Sequence, residues 1–283
     1  VKSNKDIGFI ADFFRSDILG GAESNNAVLI SYLESKGYIV EKIKSTTAKL
    51  KKGGFYIVAN FIGLSEQNKK FLQDNCTYII SEHDFKYLKS RNPSNYINFI
   101  APKEEIVNEE FYRTAKEVVV LSAICKDIIE CTLGLCNVRS IGTSLWSDAK
   151  FEYLEKALEN KKVHDYAIVD SSNTIKGRAQ SIKWCKDNGK DFKLISSSNE
   201  QEFLEQLSRT KKLVFMPQVL ETFSRLAAEA KMLECKLVTK KSLLGFASEA
   251  CYDVSGLALQ REMKMRVHIA LRTFEELIIG SKK

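Results

Sequence analysis

The 283-residue chain contains neither G-x-G-x-x-G nor G-x-x-x-x-G-K-[ST], which removes both a dinucleotide fingerprint and a P-loop from consideration. No D-x-D occurs, so no acidic pair of that type is present to bridge a divalent metal to a diphosphate, and metal-independent chemistry is the expectation. No run of about 18 apolar residues suggests a membrane-spanning helix. The opening stretch VKSNKDIGFIADFF lacks the basic, apolar and small-residue order of a secretory leader, and a soluble cytoplasmic protein is expected. Proline is confined to Pro93, Pro102 and Pro217, all at predicted loop or strand-end positions. The seven cysteines, an odd number, include no C-x-x-C pair and lie mostly in apolar stretches, as reduced core thiols do. Cys125, Cys131 and Cys136 offer three thiolates, but their spacing is irregular for zinc and no histidine lies nearby.

What is present is apolar material, 44% of residues, enough for one large or two modest domains with their own cores. A net charge of +7 suits anionic partners such as nucleic acid, acidic membrane surfaces or phosphorylated substrates. The segment EKIKSTTAKLKK sets Lys42, Lys44, Lys49, Lys51 and Lys52 against a single Glu41. A solvated loop accounts for such a run as readily as a binding patch does. Without interleaved aromatics or a recognisable module, nucleic acid is not the expected partner. Peripheral contact with a membrane through this basic loop stays open.

Short apolar runs alternate with stretches of helical period, the pattern of parallel sheets covered by helices. The first half reads as strand DIGFIA, a helix over about 21–35, strands YIVEKI and FYIVANF, a helix after Ser65, strands TYIIS, YINFIA and EVVVLS, a helix, and VRSIG. FEYLEKALENKK is a charged connector helix. The second half reads as YAIVD, a helix over about 175–188, FKLIS, a helix over about 200–207, KLVFMP, a helix to Leu233, and KLVTK. Residues 257–279 contain no Gly or Pro and read as a terminal helix. The expected organisation is two Rossmann-like domains, 1–145 and 166–256, with a linker helix within 146–165 and a last helical segment over 257–283.

Open parallel sheets bind ligands beyond the carboxyl ends of their strands, so chemistry is expected in the loops there. After the first strand, Gly20 and Gly21 open a helix, where backbone amides can approach a phosphate; a tight turn near a cap explains the pair equally well. His83, in SEHDF, follows a strand and is placed to donate to a sugar hydroxyl or act as a base, or simply to sit at the surface. His164 and His268 suggest no role. Lys176 begins a predicted helix with Gly177 behind it, where an ammonium can neutralise a leaving diphosphate or merely face solvent. In VFMPQVLETFSRLAAEAKMLECKLVTK, Glu221 falls in a loop after a strand and Glu229 about two turns into the next helix. Two carboxylates suit sugar and ribose hydroxyls, leaving the amides of Thr222, Phe223 and Ser224 for phosphate oxygens. The alternative is a cap-region Glu221 and a solvent-facing Glu229.

The run P-x-x-x-E-T-F-S-R-L-A-A-E-A resembles the E-x7-E signature of retaining GT-B glycosyltransferases, family 4 in particular. The GGAE loop, the SEHD loop, the VLS strand end before a helix and the IKG turn follow in that family's order over nearly the full length. The resemblance implies an α/β GT-B fold, two Rossmann-like domains with parallel sheets facing a central cleft, and a last helix returning to the first domain. It further implies an acceptor held by the N-terminal domain and a nucleoside-diphosphate sugar, UDP- or GDP-linked, held by the C-terminal one. No cofactor is implied. The acceptor would be a hydroxyl of a glycan or lipid-linked molecule.

Carried over by residue, Glu221 contacts the donor sugar, Glu229 the nucleotide ribose, Gly20 and Gly21 the diphosphate, Lys176 a phosphate, and His83 the reacting sugar. A front-face route with retention of configuration is the implied mechanism. Departures from the family pattern are the absence of arginine from DSSNTIKG, where Arg178 or Arg225 would have to substitute, the Thr222–Phe223–Ser224 run in place of a glycine pair, and the short chain. Competing readings are a non-catalytic sugar-nucleotide or glycan-binding protein of the same fold and a basic nucleic-acid-binding Rossmann protein.

Overall fold

The computed structural model describes residues 6–280. The first five residues of the stretch compared with a leader, and the outermost ends of the first and last predicted segments, lie outside the described residues. The chain divides into two compact units, Val1–Leu145 with Val267–Lys283, and Trp146–Arg266.

The first unit carries a six-stranded sheet made of β1 (Asp6–Ala11), β2 (Ile39–Lys44), β3 (Phe55–Val58), β4 (Thr77–Ser81), β5 (Glu117–Val120) and β6 (Val138–Ser140). Their order is β2-β1-β3-β4-β5-β6 and every pairing is parallel. Such strands are covered on both faces and therefore read as continuous apolar runs; Ile7, Phe9, Ile10 and Ala11 of β1 are all buried. The helices are α1 (Gly21–Ser35), α2 (Glu66–Asn75), α3 (Glu109–Arg113) and α4 (Ala123–Leu133). Ser65 caps α2 by accepting from the Asn68 amide, and Gly134, in the left-handed region, ends α4. Because β2 is an edge strand, its Lys42 and Lys44 stand where lysine discourages pairing with another chain.

The second unit carries α5 (Asp148–Ala157), β7 (His164–Val169), α6 (Arg178–Asp187), β8 (Lys193–Ile195), α7 (Glu200–Ser208), β9 (Thr210–Phe215), α8 (Arg225–Met232) and β10 (Lys236–Thr239). Its sheet runs β10-β9-β7-β8, again all parallel. Ile168, Cys185, Val214 and Met216 pack together in its core, flanked by Tyr166, Ile182, Trp184, Phe192 and Val238. The last helix, α9 (Gly256–Ile279), contributes residues up to Arg266 to the second unit and the remainder to the first. There, Tyr32 donates to Glu275 (2.8 Å) and Lys116 to the Leu277 carbonyl (2.6 Å).

Four local expectations are corrected. YINFIA is no strand: 97–99 is a 3-10 turn, Asn98 and Phe99 have φ of 53° and 64°, and Ile97 is 87% exposed. β4 already has β3 and β5 on its two sides, so no position beside it remains for this segment. The strand in FYIVANF stops at Val58. The helix expected over 175–188 is broken by Gly177, whose left-handed φ of 68° separates a 3-10 turn from α6. The charged connector is part of the second unit, since Tyr153 of α5 donates to the Gln201 carbonyl (2.9 Å) and Lys150 pairs with Glu200 (2.9 Å).

All seven cysteines are free thiols. Cys125, Cys185, Cys235 and Cys251 are buried, but Cys131 and Cys136 are exposed, so the core reading fits only part of the set. Burial pushes the Cys235 thiol up to about 12. Among the described residues no helix is long and apolar enough to cross a membrane.

Candidate functional site

Each sheet changes direction once, at a strand from which the chain proceeds first to one side and then to the other, and such switch points are where open α/β sheets take ligands. In the second unit the switch lies between β7 and β9. The loops following these strands pack backbone against backbone. The Gln218 amide donates to the Ile175 carbonyl (2.8 Å). A Cβ on Gly177 would collide with the Met216 carbonyl, so the glycine serves both the turn and the approach.

This packing brings Lys176 to Glu221. The ammonium lies 2.9 Å and 3.1 Å from the two carboxylate oxygens. Glu221 is held extended by a parallel bridge to Leu244, with its amide donating to the Leu243 carbonyl (3.0 Å) and its carbonyl accepting from Gly245 (2.8 Å). Lys176 closes the 3-10 turn rather than beginning a helix, a correction that traces to Gly177. An ammonium has three donors, so one remains after Glu221 is met.

Beyond Glu221 the chain enters α8. Phe223 is buried against Trp146 (6.1 Å between ring centroids) and Phe246 (5.3 Å), so its side chain anchors the loop. Ser224 is the N-cap with φ of 72°, its side chain making no cap hydrogen bond. Its buried Oγ has no partner among the described residues. The positive end of α8 and this hydroxyl lie in the stretch that also carries Thr222, next to Glu221 in sequence.

Glu229 lies one turn into α8, not two, and is buried rather than solvent-facing. Its Oε1 accepts from the Trp146 indole (2.9 Å) and lies 3.3 Å from Lys150 and 3.6 Å from Arg225. Arg225 stacks over the Trp146 ring at 5.1 Å. This cluster ties α5 to α8, and only side chains distant in sequence reveal it. Arg178 is engaged by Asp170 (2.5 Å).

In the first unit the switch lies at β1, between β2 and β3. Gly20 is the N-cap of α1 and Glu23 folds back over it; a Cβ on Gly20 would strike the Glu23 carboxylate. Burial pushes the pKa of that carboxylate up, with Asp84 and Asp12 adding to the rise and the hydrogen bond from its own backbone N–H opposing it. A phosphate approaching the Gly20–Gly21 amides would therefore meet a carboxyl group already in place. Asp12 accepts from Ser45 and from the amides of Ile62 and Gly63 (both 2.9 Å).

His83, half-buried in the loop after β4, has Nε2 3.1 Å from Asn26 Oδ1. Burial, reinforced by the nearby Lys86 charge, lowers its pKa to about 3, so the imidazole is neutral near pH 7. Glu82 fixes this loop. It accepts from the amides of His83 (2.8 Å) and Asp84 (2.9 Å), from Lys86 (2.6 Å), and from the Tyr112 hydroxyl. Lys86 is itself buried and reaches Asp84 at 2.5 Å. Sequence reading gave no role to Glu82, although it lies in the SEHD loop, and missed Lys86, Tyr112, Trp146 and Lys150, none of which carries a motif. Glu23, three residues after the Gly20 cap, matches the spacing of a capping carboxylate and was legible.

No protein-family model matches the sequence, and no curated protein matches it. Solved structures do. The catalytic domain of starch synthase IV from Arabidopsis thaliana, bound to ADP and acarbose, superposes with a TM-score of 0.56 at 9% identity, covering 98% of this chain and 99% of that one. HepE of Anabaena in complex with UDP gives 0.52 at 10% identity, with 97% and 100% covered. The UDP-GlcNAc 2-epimerase of Methanocaldococcus jannaschii, with UDP-GlcNAc and UDP, gives 0.51 at 12%, with 94% and 92% covered. At such identities the likeness speaks to architecture alone, and the architecture is the α/β, parallel-sheet fold of the GT-B glycosyltransferases.

Proposed function

We propose that the chain is a glycosyltransferase that takes a nucleoside-diphosphate sugar, UDP- or GDP-linked, as co-substrate and moves the sugar to a hydroxyl of a glycan or lipid-linked acceptor. One observation carries the reading. At the switch point of the second sheet, an ammonium paired with a carboxylate stands beside an uncapped helix whose N-cap hydroxyl is buried and unmet. A sugar diphosphate supplies the complement: phosphate oxygens for Lys176, Ser224 and the first amides of α8, and sugar hydroxyls for Glu221. The structural neighbours crystallised with ADP, UDP or UDP-GlcNAc support the same ligand class.

In this reading negative charge on the leaving phosphate is met by preorganised positive groups of the protein, without a metal bridge. Retention of configuration and membership of family 4 follow from the motif resemblance, and peripheral membrane contact through the basic loop from its charge. Glu229 is assigned to holding Trp146 and Arg225 in place, with ribose contact through the Oε2 side of the carboxylate as a second role. A second reading, nucleotide-sugar binding without transfer, is favoured by the absence of arginine from DSSNTIKG, the substitute Arg178 being engaged by Asp170 (2.5 Å).

A thermal-shift panel of UDP-, GDP-, ADP- and CMP-sugars tests the proposal. One nucleotide class is expected to raise the Tm of the wild-type protein and to raise it less with Lys176→Ala. Stabilisation by none of them would sink it, and stabilisation without release of nucleoside diphosphate in the presence of acceptors would select the second reading.

A further inference from the structure

β10 is an outer strand of the second sheet, and the chain that follows it brings Tyr252 to the last turn of α8. Lys231, in that turn, holds its ammonium 4.7 Å from the centre of the Tyr252 ring. Lys241, two residues beyond β10, holds a second ammonium 5.0 Å from the same centre. The ring is a fixed platform, buried and standing edge-on to the buried Phe246 at 5.3 Å.

Neither ammonium has an ion-pair partner or a hydrogen-bond acceptor among the described residues. The nearby acids do not fill the gap. Glu249 is paired with Arg266 (2.9 Å), and Asp253 acts on Lys231 through space without pairing with it. Burial lowers the pKa of Lys231 and the Lys241 charge lowers it further, against the opposing pull of Asp253.

Thr239 supplies an unmet hydroxyl. Val238 packs on the same core cluster as Ile182 and Trp184 of α6, and side chains alternate along a strand, so Thr239 faces the opposite side of the sheet. The chain leaves β7 for β8 in one direction and β9 for β10 in the other. Right-handed connections therefore set α6 and α8 on opposite faces, and Thr239 is on the α8 side. Its buried Oγ1 has no partner among the described residues.

Either lysine alone needs no ligand. A cation in the last turn of a helix complements the dipole, and a lysine packs well over an aromatic face. Two on one ring go beyond that, because like charges repel in a half-buried place where neither has a counter-charge. A carboxylate would offset one of them. A phosphoryl dianion matches both and keeps an oxygen for a hydroxyl.

We propose that Lys231 and Lys241 on the Tyr252 ring, with the Thr239 hydroxyl, form a binding site for a phosphoryl dianion, either free phosphate or a phosphomonoester. Lys231 stands at the opposite end of α8 from Ser224, and the inference survives if the nucleotide reading fails. Amide NMR of the isotope-labelled full chain tests it, with inorganic phosphate, methyl phosphate and dimethyl phosphate titrated at constant ionic strength and about pH 8, where the monoester is doubly charged. The amides of Thr239, Lys241 and Tyr252 are expected to shift saturably with phosphate or methyl phosphate, and the tighter of the two identifies the source. The apparent Kd should rise about tenfold in Lys231→Met and in Lys241→Met, the scale of one charge-assisted hydrogen bond. Thr239→Val should raise it about fivefold, which covers the case that a methionine variant does not fold. Lys176→Ala should leave these shifts unchanged. Dimethyl phosphate binding as tightly as methyl phosphate would overturn the dianion assignment. Absence of saturable shifts at these residues, or a wild-type Kd in folded Lys231→Met and Lys241→Met, would overturn the site and leave both ammoniums as packing on the ring.

Discussion

Both sheets place loops at a switch point, yet they furnish them with opposite chemistry. In the second unit the loop after β7 offers Lys176, the loop after β9 offers Glu221, and α8 opens on Ser224 with no side-chain cap. In the first unit the corresponding helix, α1, opens on Gly20 with the Glu23 carboxylate folded over it, and Arg15 donates to the neighbouring Ser24 (2.5 Å). The same backbone geometry thus presents an ammonium and an uncapped helix start in one unit and a carboxylate folded over the helix start in the other. The lesson is that a helix N-terminus after a parallel strand is only a potential anion site; its own third residue decides whether it remains one.

The largest test of this contrast concerns the loop rigidity it relies on. Lys86→Met strips the ammonium from Glu82 and Asp84 in a buried setting, and a loss of about 3–5 kcal/mol is expected in denaturant unfolding. A loss under about 1 kcal/mol would show that the loop after β4 is not held by this pair. Next, Gly177→Ala sets a Cβ against the Met216 carbonyl and forces a non-glycine residue to a positive φ. About 1–3 kcal/mol of stability should be lost, together with nucleotide-sugar stabilisation, because Lys176 and Glu221 are brought together by that approach. Unchanged ligand binding in Gly177→Ala would break the link between turn and site.

Lys176→Ala, by comparison, should leave folding nearly intact while weakening nucleoside-diphosphate affinity roughly tenfold, as read by titration calorimetry, the scale of one charge-assisted hydrogen bond. The remaining test is a pH dependence. His83 takes up a proton only near pH 3 in the folded chain but near 6.5 when unfolded. Stability contributed by the neutral imidazole is therefore full above pH 6.5 and falls as the pH drops towards 3. Unfolding curves collected from pH 7 to pH 4.5 should show a shallower decline for His83→Asn than for the wild type, and parallel curves would remove the buried neutral histidine from the account.

The elements that sequence reading placed well were those whose signal is local. DIGFIA, TYIIS and the start of EVVVLS are apolar runs of strand length followed by cap or turn residues, and they form β1, β4 and β5. YINFIA carries the same local signal and forms no strand, because membership of a sheet depends on an available neighbour, which a run of six residues does not encode. At the site, Lys176 and Glu221 stood out by position after strands, and they meet. Glu229 stood out as well, but its partners Trp146 and Lys150 lie some eighty residues earlier, and nothing in their spacing announces them.

What the sequence by itself determined is the α/β class, the order of most strands and helices, and the loops in which polar groups follow strands, since strand and helix periods are properties of consecutive residues. Tertiary structure alone decided which of those groups are buried, which are paired and which are left unmet. Asp12 with Ile62 and Gly63, Glu82 with Tyr112, and Glu229 with Trp146 each depend on chain segments brought together by packing. Charge and hydrogen-bonding capacity are sums over such neighbours, which lie far apart in the chain, so they become defined only once it is folded.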